Sequence, residues 1–319
     1  MGDPSLREVI TYIPPNVDTA GLKTVYFLPG WGSRGSKFLQ DSEVFGQSFL
    51  HRLEAAVSSK EIYAFVSVFV DGSSTLGCHQ YINSASLGPV QDWIAEDLPQ
   101  LIETRYGCSA KASDRIVAGH SSGGFGALWL GLQRPDRFQR IVAAAADSFF
   151  EISILSHLLG TWQELTQRGG IEGFLQYFKK HPQPQSLGSR SFLTMLTLSL
   201  APCYSPRTSP APLFGELFFD LQTGQIREEI WEEYLRWDPI RGVTQTDSKK
   251  LENSFFVLDC GTEDEYGAQL GHRQIAEKMT HQGISHHLME FSGKHSGNDW
   301  RYIERLKHVF KFQASGPIS

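Results

Sequence analysis

The chain has 319 residues, 40% of them hydrophobic and 20% charged, with a formal net charge of -6. That is enough chain to bury a sizeable core, and it holds no basic run of the kind a nucleic-acid backbone attracts. Cys78, Cys108, Cys203 and Cys260 lie far apart, with no CxxC pair and no histidine at zinc-like spacing, which argues against a disulfide framework or a metal site and for free thiols.

The first residues, "MGDPSLREVI", lack the basic start and apolar stretch of a signal peptide, and Leu6 breaks the myristoylation pattern. The most apolar stretches, Ile141 to Leu159 and Phe192 to Ala201, are interrupted by Asp147, Glu151 and His157 or are too short to cross a bilayer. A cytoplasmic protein with no membrane or nucleic-acid partner is expected.

Short apolar runs then alternate with helix-like patterns. "EVITYIPP" is a strand ended by its prolines, and "TVYFLPG" a strand that runs into a glycine-rich loop. "SEVFGQSFLHRLEAAVSS" sets Val44, Phe45, Phe49, Leu53, Ala56 and Val57 near one face at helical period. "AFVSVFVDG" reads as a buried strand. From Pro89 to Tyr106, Ile94, Leu98, Leu101 and Ile102 are expected on one side of a helix that Gly107 ends in a left-handed cap. "RIVAGH" is a central strand, a helix follows it, and "RIVAAAA" is the next strand.

From Asp147 to Val243 the rhythm changes to helical pieces, a Gly169-Gly170 break and the proline-rich "PCYSPRTSPAPLFG", ending in the helix "REEIWEEYLRW" before Asp238-Pro239. The strands resume with "SFFVLDCG" and "HHLMEF", and the helix "DWRYIERLKHVFKF" closes the pattern. This alternation predicts an α/β fold, a mostly parallel central sheet with helices on both faces. Residues 1–319 are read as one domain, with 147–243 as a mainly helical insertion or cap.

Gly119-His120-Ser121-Ser122-Gly123 is G-x-S-x-G between a strand and a helix, the context of a nucleophile elbow. Ser121 has glycine at both minus two and plus two, whereas Ser122 would have His120 at minus two, so Ser121 is the candidate nucleophile. His120 is read as structural, and Gly124 and Gly126 as sites where the helix approaches neighbouring strands closely. A serine hydroxyl needs a base, and the base needs a carboxylate. After an elbow these follow in the order acid then histidine, each beyond the carboxyl end of a strand.

"GTEDEYG" offers Glu263, Asp264 and Glu265, of which Asp264 is preferred, while Asp259 still lies in the strand. "SGKHSGNDW" offers His295; His281, His286, His287 and His308 suit surface, strand or helix positions. An oxyanion needs two fixed N–H donors, read as the amides of Ser122 and of Trp31 in the loop after "TVYFLPG".

At these residues the chain resembles the putative esterase family of α/β-hydrolases, which includes S-formylglutathione hydrolases, feruloyl and enterochelin esterases and mycolyltransferases. The resemblance spans nearly the whole chain and rests on "GHSSGGFGAL" with "RPDRF", on "CGTEDEY", on the "GKH" loop, on "YINSASLGPVQDWIAEDLPQLIE" before the elbow strand, and on "CYSP" and "LRWDP". It implies an α/β-hydrolase fold and a serine hydrolase with Ser121, Asp264 and His295 as its triad.

Two departures stand out. Pro29-Gly30-Trp31 replaces the His-Gly of many relatives, and "GKHSGNDW" has a longer link from histidine to tryptophan than is common. The expected activity is hydrolysis of a small-molecule ester or thioester through an acyl-enzyme, with no cofactor and no metal. An acyltransferase using the same triad and a non-catalytic binding protein of this fold are the competing readings. Phe149, Phe150, Tyr204, Trp231 and Trp237 are read as core rather than assigned to substrate.

Overall fold

The structure is a computed structural model that describes residues 6–40, 47–181, 189–208 and 212–312. Its strands are Val9–Tyr12 (β1), Thr24–Leu28 (β2), Val66–Val70 (β3), the short pair Asn83–Ser84 (β4) and Gly88–Pro89 (β5), Arg115–His120 (β6), Arg140–Ala144 (β7), Phe255–Gly261 (β8) and His286–Phe291 (β9). Seven of them form one sheet in the order β1-β3-β2-β6-β7-β8-β9, in which β1 runs antiparallel to β3 and all other neighbours are parallel. The elbow strand β6 is thus the middle one, buried on both faces.

The helices are Phe49–Ser58 (α1), Val90–Asp92 (α2), Leu98–Tyr106 (α3), Ser122–Gln133 (α4), Phe150–Ser153 (α5), Leu158–Gln167 (α6), Gly170–Lys180 (α7), Arg190–Tyr204 (α8), Glu228–Leu235 (α9), Pro239–Gln245 (α10), Ala268–His281 (α11) and Tyr302–Lys311 (α12). Alternation along the strands divides the core. Val25, Phe27, Ile116 and Val142 pack with Phe49 and Leu53 of α1 and Leu306 of α12 on one face. Tyr26, Leu28, Val117 and Ile141 pack with α3, α4 and α11 on the other.

α4 is buried from Ser122 to Leu132, because its second side, Phe125 and Trp129, meets the helices between β7 and β8. Those helices have an aromatic core of their own, including Phe150, Tyr204 and Trp231, in keeping with the reading of these residues as core; Trp237 packs against it half-buried. Asp238 ties the two ends of the segment together. Its carboxylate caps α10 by accepting from the Ile240 amide and also accepts from the amides of Phe149 and Phe150.

Four expectations need correction or completion. Leu101 is 57% exposed: a π-helical turn at Trp93–Asp97 rotates the chain upstream of α3, and the buried row runs Ile94, Leu98, Ile102. Gly107 does end that helix at φ 68°. The stretch "PCYSP" begins inside α8, which runs through Pro202 to Tyr204. The helix α11 was not anticipated, because its buried row (Ala268, Gly271, His272, Ile275, Ala276, Met279) has helical spacing but only Ile275 and Met279 are large and apolar. Val44 and Phe45, expected on α1, lie outside the described residues; α1 starts at Phe49, with Ser48 accepting from the His51 amide as its N-cap.

Candidate active site

The glycines of the elbow are dictated by packing. A Cβ at position 119 would lie 2.0 Å from the carbonyl oxygen of Gly123, and a Cβ at 123 would lie 2.0 Å from that of Leu28 on β2. Only two bare α-carbons let the chain reverse this tightly from β6 into α4. Between them Ser121 sits at φ 57°, ψ -124°, a strained conformation for a residue with a side chain. The turn lifts its hydroxyl clear of the sheet edge.

The structure brings Ser121 together with two residues far away in sequence. Ser121 Oγ lies 3.0 Å from His295 Nε2, and His295 Nδ1 lies 2.8 Å from Asp264 Oδ2. Nδ1–H therefore donates to the carboxylate and leaves Nε2 free to accept from the hydroxyl. Asp264 follows β8 and His295 follows β9, both at the sheet edge where β6 ends.

The neighbouring acids divide the work. Glu265 accepts from the backbone amide of His295 at 2.9 Å, while Glu263 is exposed. Burial alone would raise the Asp264 pKa, but the hydrogen bond and charge of His295, the Tyr266 amide and the Cys260 thiol hold it below the usual carboxylate range. Asp259 stays in β8, where Arg301 and Arg305 pair with it.

His120 points away from Ser121, as its place in the turn suggested, and its Nε2–H donates to the carbonyl of His295 at 2.7 Å. Burial, with the charge of His295 second, pushes its pKa well below the ordinary value. Asn298 donates to the same carbonyl at 3.2 Å and to that of Lys294 at 2.7 Å. These bonds close the longer link after His295, and Trp300 beyond it is half exposed instead of packing over the histidine.

Gly30 abuts Ser121, since a Cβ there would touch Ser121 Cβ at 3.4 Å. The amides of Trp31 and Ser122 donate to no acceptor among the described residues, whereas the flanking amides of Gly32 and Ser33 bond to Gly77 and Gly30. The Trp31 indole is pinned by a hydrogen bond to Ser199 and by the Phe192 ring, 4.9 Å away and edge-on. A cleft of about 780 Å³, measured to its open mouth, has Ser121 and His295 in its wall, with Trp31, Phe192 and Tyr266 around them.

A family model described as putative esterase matches residues 5–303. The chain belongs to the putative esterase family. Among solved structures the esterase resembles a ferulic acid esterase (15% identity, TM-score 0.60, covering 96% of this chain and 92% of that one). It also resembles a fluorophosphonate-binding serine hydrolase of Staphylococcus aureus (13%, 0.56, 96% and 93%) and an S-formylglutathione hydrolase from Agrobacterium tumefaciens (14%, 0.53, 95% and 90%). At such identities the likeness is one of fold, here the α/β-hydrolase fold, and family membership makes the chain an esterase.

The sequence reading did not assign to the site the residues that shape the esterase's cleft. Phe192 and Tyr266 line it, as do Lys37 and Asp147. Asp147 had a signal: like Asp264, it is a carboxylate just beyond the carboxyl end of a strand. Its Oδ2 accepts from Ser122 Oγ at 3.1 Å and from Gln80 Nε2 at 3.4 Å. Burial pushes its pKa above the ordinary range, against the pull of His295 and these two hydrogen bonds. No helix among the described residues is long and apolar enough to cross a membrane.

Proposed function

We propose that the esterase cleaves a small-molecule carboxylic ester through an acyl-enzyme on Ser121, with His295 as general base and Asp264 as the acid that orients it. The observation that carries this reading is the unbroken hydrogen-bonded chain from Ser121 Oγ through the imidazole to Asp264, at 3.0 and 2.8 Å.

As Oγ attacks the ester carbonyl, its proton passes to Nε2, and the imidazolium is stabilised by the Asp264 carboxylate. The carbonyl oxygen becomes an oxyanion in reach of the Trp31 and Ser122 amides; a donor of this kind is worth about 10²–10³ in rate. The alkoxide leaves with the proton from Nε2. Water then gives its proton to Nε2 and attacks the acyl carbonyl, and collapse of the second intermediate returns the proton to Oγ and frees the acid. In this reading residues 147–243 are the cap of the same domain and form one wall of the cleft through Phe192, Leu196 and Leu200 of α8.

The test is labelling with a fluorophosphonate probe, followed by mass mapping of the adduct. Modification at Ser121, lost in Ser121→Ala, is the expected result; a folded protein that stays unlabelled at neutral pH refutes the assignment.

A further inference from the structure

We propose that the cleft selects esters carrying an ammonium group and that Asp147 is the residue that reads it. The inference rests on Ser121 being the nucleophile and adds the class of substrate.

Asp147 stands in the same cleft as Ser121 and His295, yet no lysine or arginine pairs with it among the described residues. The one such residue lining the cleft, Lys37, pairs with Asp299 at 3.5 Å. Only Oδ2 of Asp147 is engaged; Oδ1 has no hydrogen-bond partner among the described residues. Behind it Gln80, fully buried, bridges Ser122 Oγ at 3.2 Å and Asp147 through Nε2, while its own Oε1 has no partner among the described residues. The carboxylate is therefore held through Oδ2 by a buried polar support, and its Oδ1 accepts from no described residue.

A bound neutral ester would strip water from Oδ1 and return nothing, and an anionic ester would add like-charge repulsion. A cation supplies the missing partner. The remaining walls suit the same group, because Trp31, Phe192 and Tyr266 present aromatic rings, whose faces attract ammonium ions. A carboxylate that shares a cleft with aromatic rings suits a cation, and the candidate nucleophile lines the same cleft.

The experiment uses the full chain and two pairs of esters matched in shape. Butyrylcholine is compared with 3,3-dimethylbutyl butyrate for a charge on the alcohol side, and p-nitrophenyl 4-aminobutyrate with p-nitrophenyl pentanoate for a charge on the acyl side. In at least one pair kcat/KM is expected to favour the cation by about tenfold or more, and in Asp147→Asn that ratio is expected to fall to near one.

No preference in either pair, or a preference that survives Asp147→Asn, overturns the inference. So does an equal loss on all four esters with the ratio intact, which would make Asp147 a partner of the His295 imidazolium. In the unmutated protein, tetramethylammonium is expected to inhibit p-nitrophenyl butyrate hydrolysis competitively beyond a sodium chloride control, and its failure to do so counts against the site independently of any variant. Turnover of the neutral esters alone defeats this inference and leaves the nucleophile assignment standing. No turnover and no labelling at Ser121 defeats both.

Discussion

The strand ends that carry Ser121, Asp264 and His295 and the helical segment facing them across the cleft are held by opposite means. At the strand ends the contacts are backbone against backbone, through Gly119, Gly123 and Gly30, and buried charge is paired, as in Asp259 with Arg301 and Arg305. The segment between β7 and β8 is held by ring against ring, Phe150 on Tyr204 at 5.2 Å and Phe218 on Trp231 at 5.0 Å, with partly exposed ion pairs such as Arg207–Glu233. One region tolerates no displacement, and the other can repack. Chemistry therefore belongs to the first and recognition to the second, and equal lesions placed in each should separate them.

The largest difference is expected in turnover. Ser121→Ala should lower kcat by about 10⁴–10⁶, and Asp264→Asn by about 10⁴. Phe192→Leu, on the opposite wall of the cleft, should change kcat/KM by less than about tenfold. Hydrolysis of p-nitrophenyl butyrate measures all three, and a Phe192→Leu loss as deep as that of Asp264→Asn would erase the distinction.

Stability comes next. Asp259→Asn removes a fully buried carboxylate and strands Arg305, which is 1% exposed, so a loss of about 3–5 kcal/mol is expected in urea denaturation. Glu233→Gln breaks the pair with Arg207 in the helical segment, where both side chains are about 30% exposed, and should cost less than about 1 kcal/mol.

Acid should weaken both regions alike. His157, in the segment, and His272, which accepts the Ala146 amide behind β7, both have folded pKa values pushed down to about 4, His157 by burial and His272 chiefly so. Between pH 6.5 and 4 the unfolded chain binds protons at these two histidines that the folded one refuses, so their contribution to stability falls as pH falls through that window, opposed by the raised carboxylates Asp147 and Asp238. Each histidine accounts for up to about 3 kcal/mol. Asp259 and Asp264, held below the ordinary carboxylate range, keep their contribution there and lose it only at lower pH. Urea midpoints at pH 7.5, 6 and 5 should fall in sequence, and His157→Gln and His272→Gln should each flatten the slope; a flat wild-type profile contradicts the argument.

The same contrast explains what could be read from sequence. The elbow is a local pattern, because packing forces glycine at fixed distances on both sides of Ser121. Asp264 and His295 each follow a strand whose apolar run is visible. Asp264 is preferred over Glu265 in sequence, and the fold turns the first toward the imidazole and the second toward the backbone amide. The cleft wall was least legible. Phe192 looks like any apolar residue of α8, Gln80 sits in a loop at φ 52°, and α11 hides its buried row among small and polar residues. Recognition residues carry no spacing rule, since any side chain that reaches the cavity can serve.

The smallest expected effect tests that last point. Tyr81 and Tyr204 are both fully buried tyrosines, one beside the elbow and one in the aromatic core of the segment. The Tyr81 hydroxyl donates to the Pro29 carbonyl at 2.5 Å, just before the loop that carries Trp31. Tyr81→Phe leaves that carbonyl without its donor and should cost about 1–2 kcal/mol. The Tyr204 hydroxyl has no hydrogen-bond partner among the described residues, so Tyr204→Phe removes a desolvated polar group without stranding another and should leave stability unchanged or raise it by up to about 1 kcal/mol. A thermal melt decides the sign. If Tyr204→Phe is the more stable protein and yet loses kcat/KM on its ester, that hydroxyl, within electrostatic reach of Asp147, serves the cleft at the expense of the core.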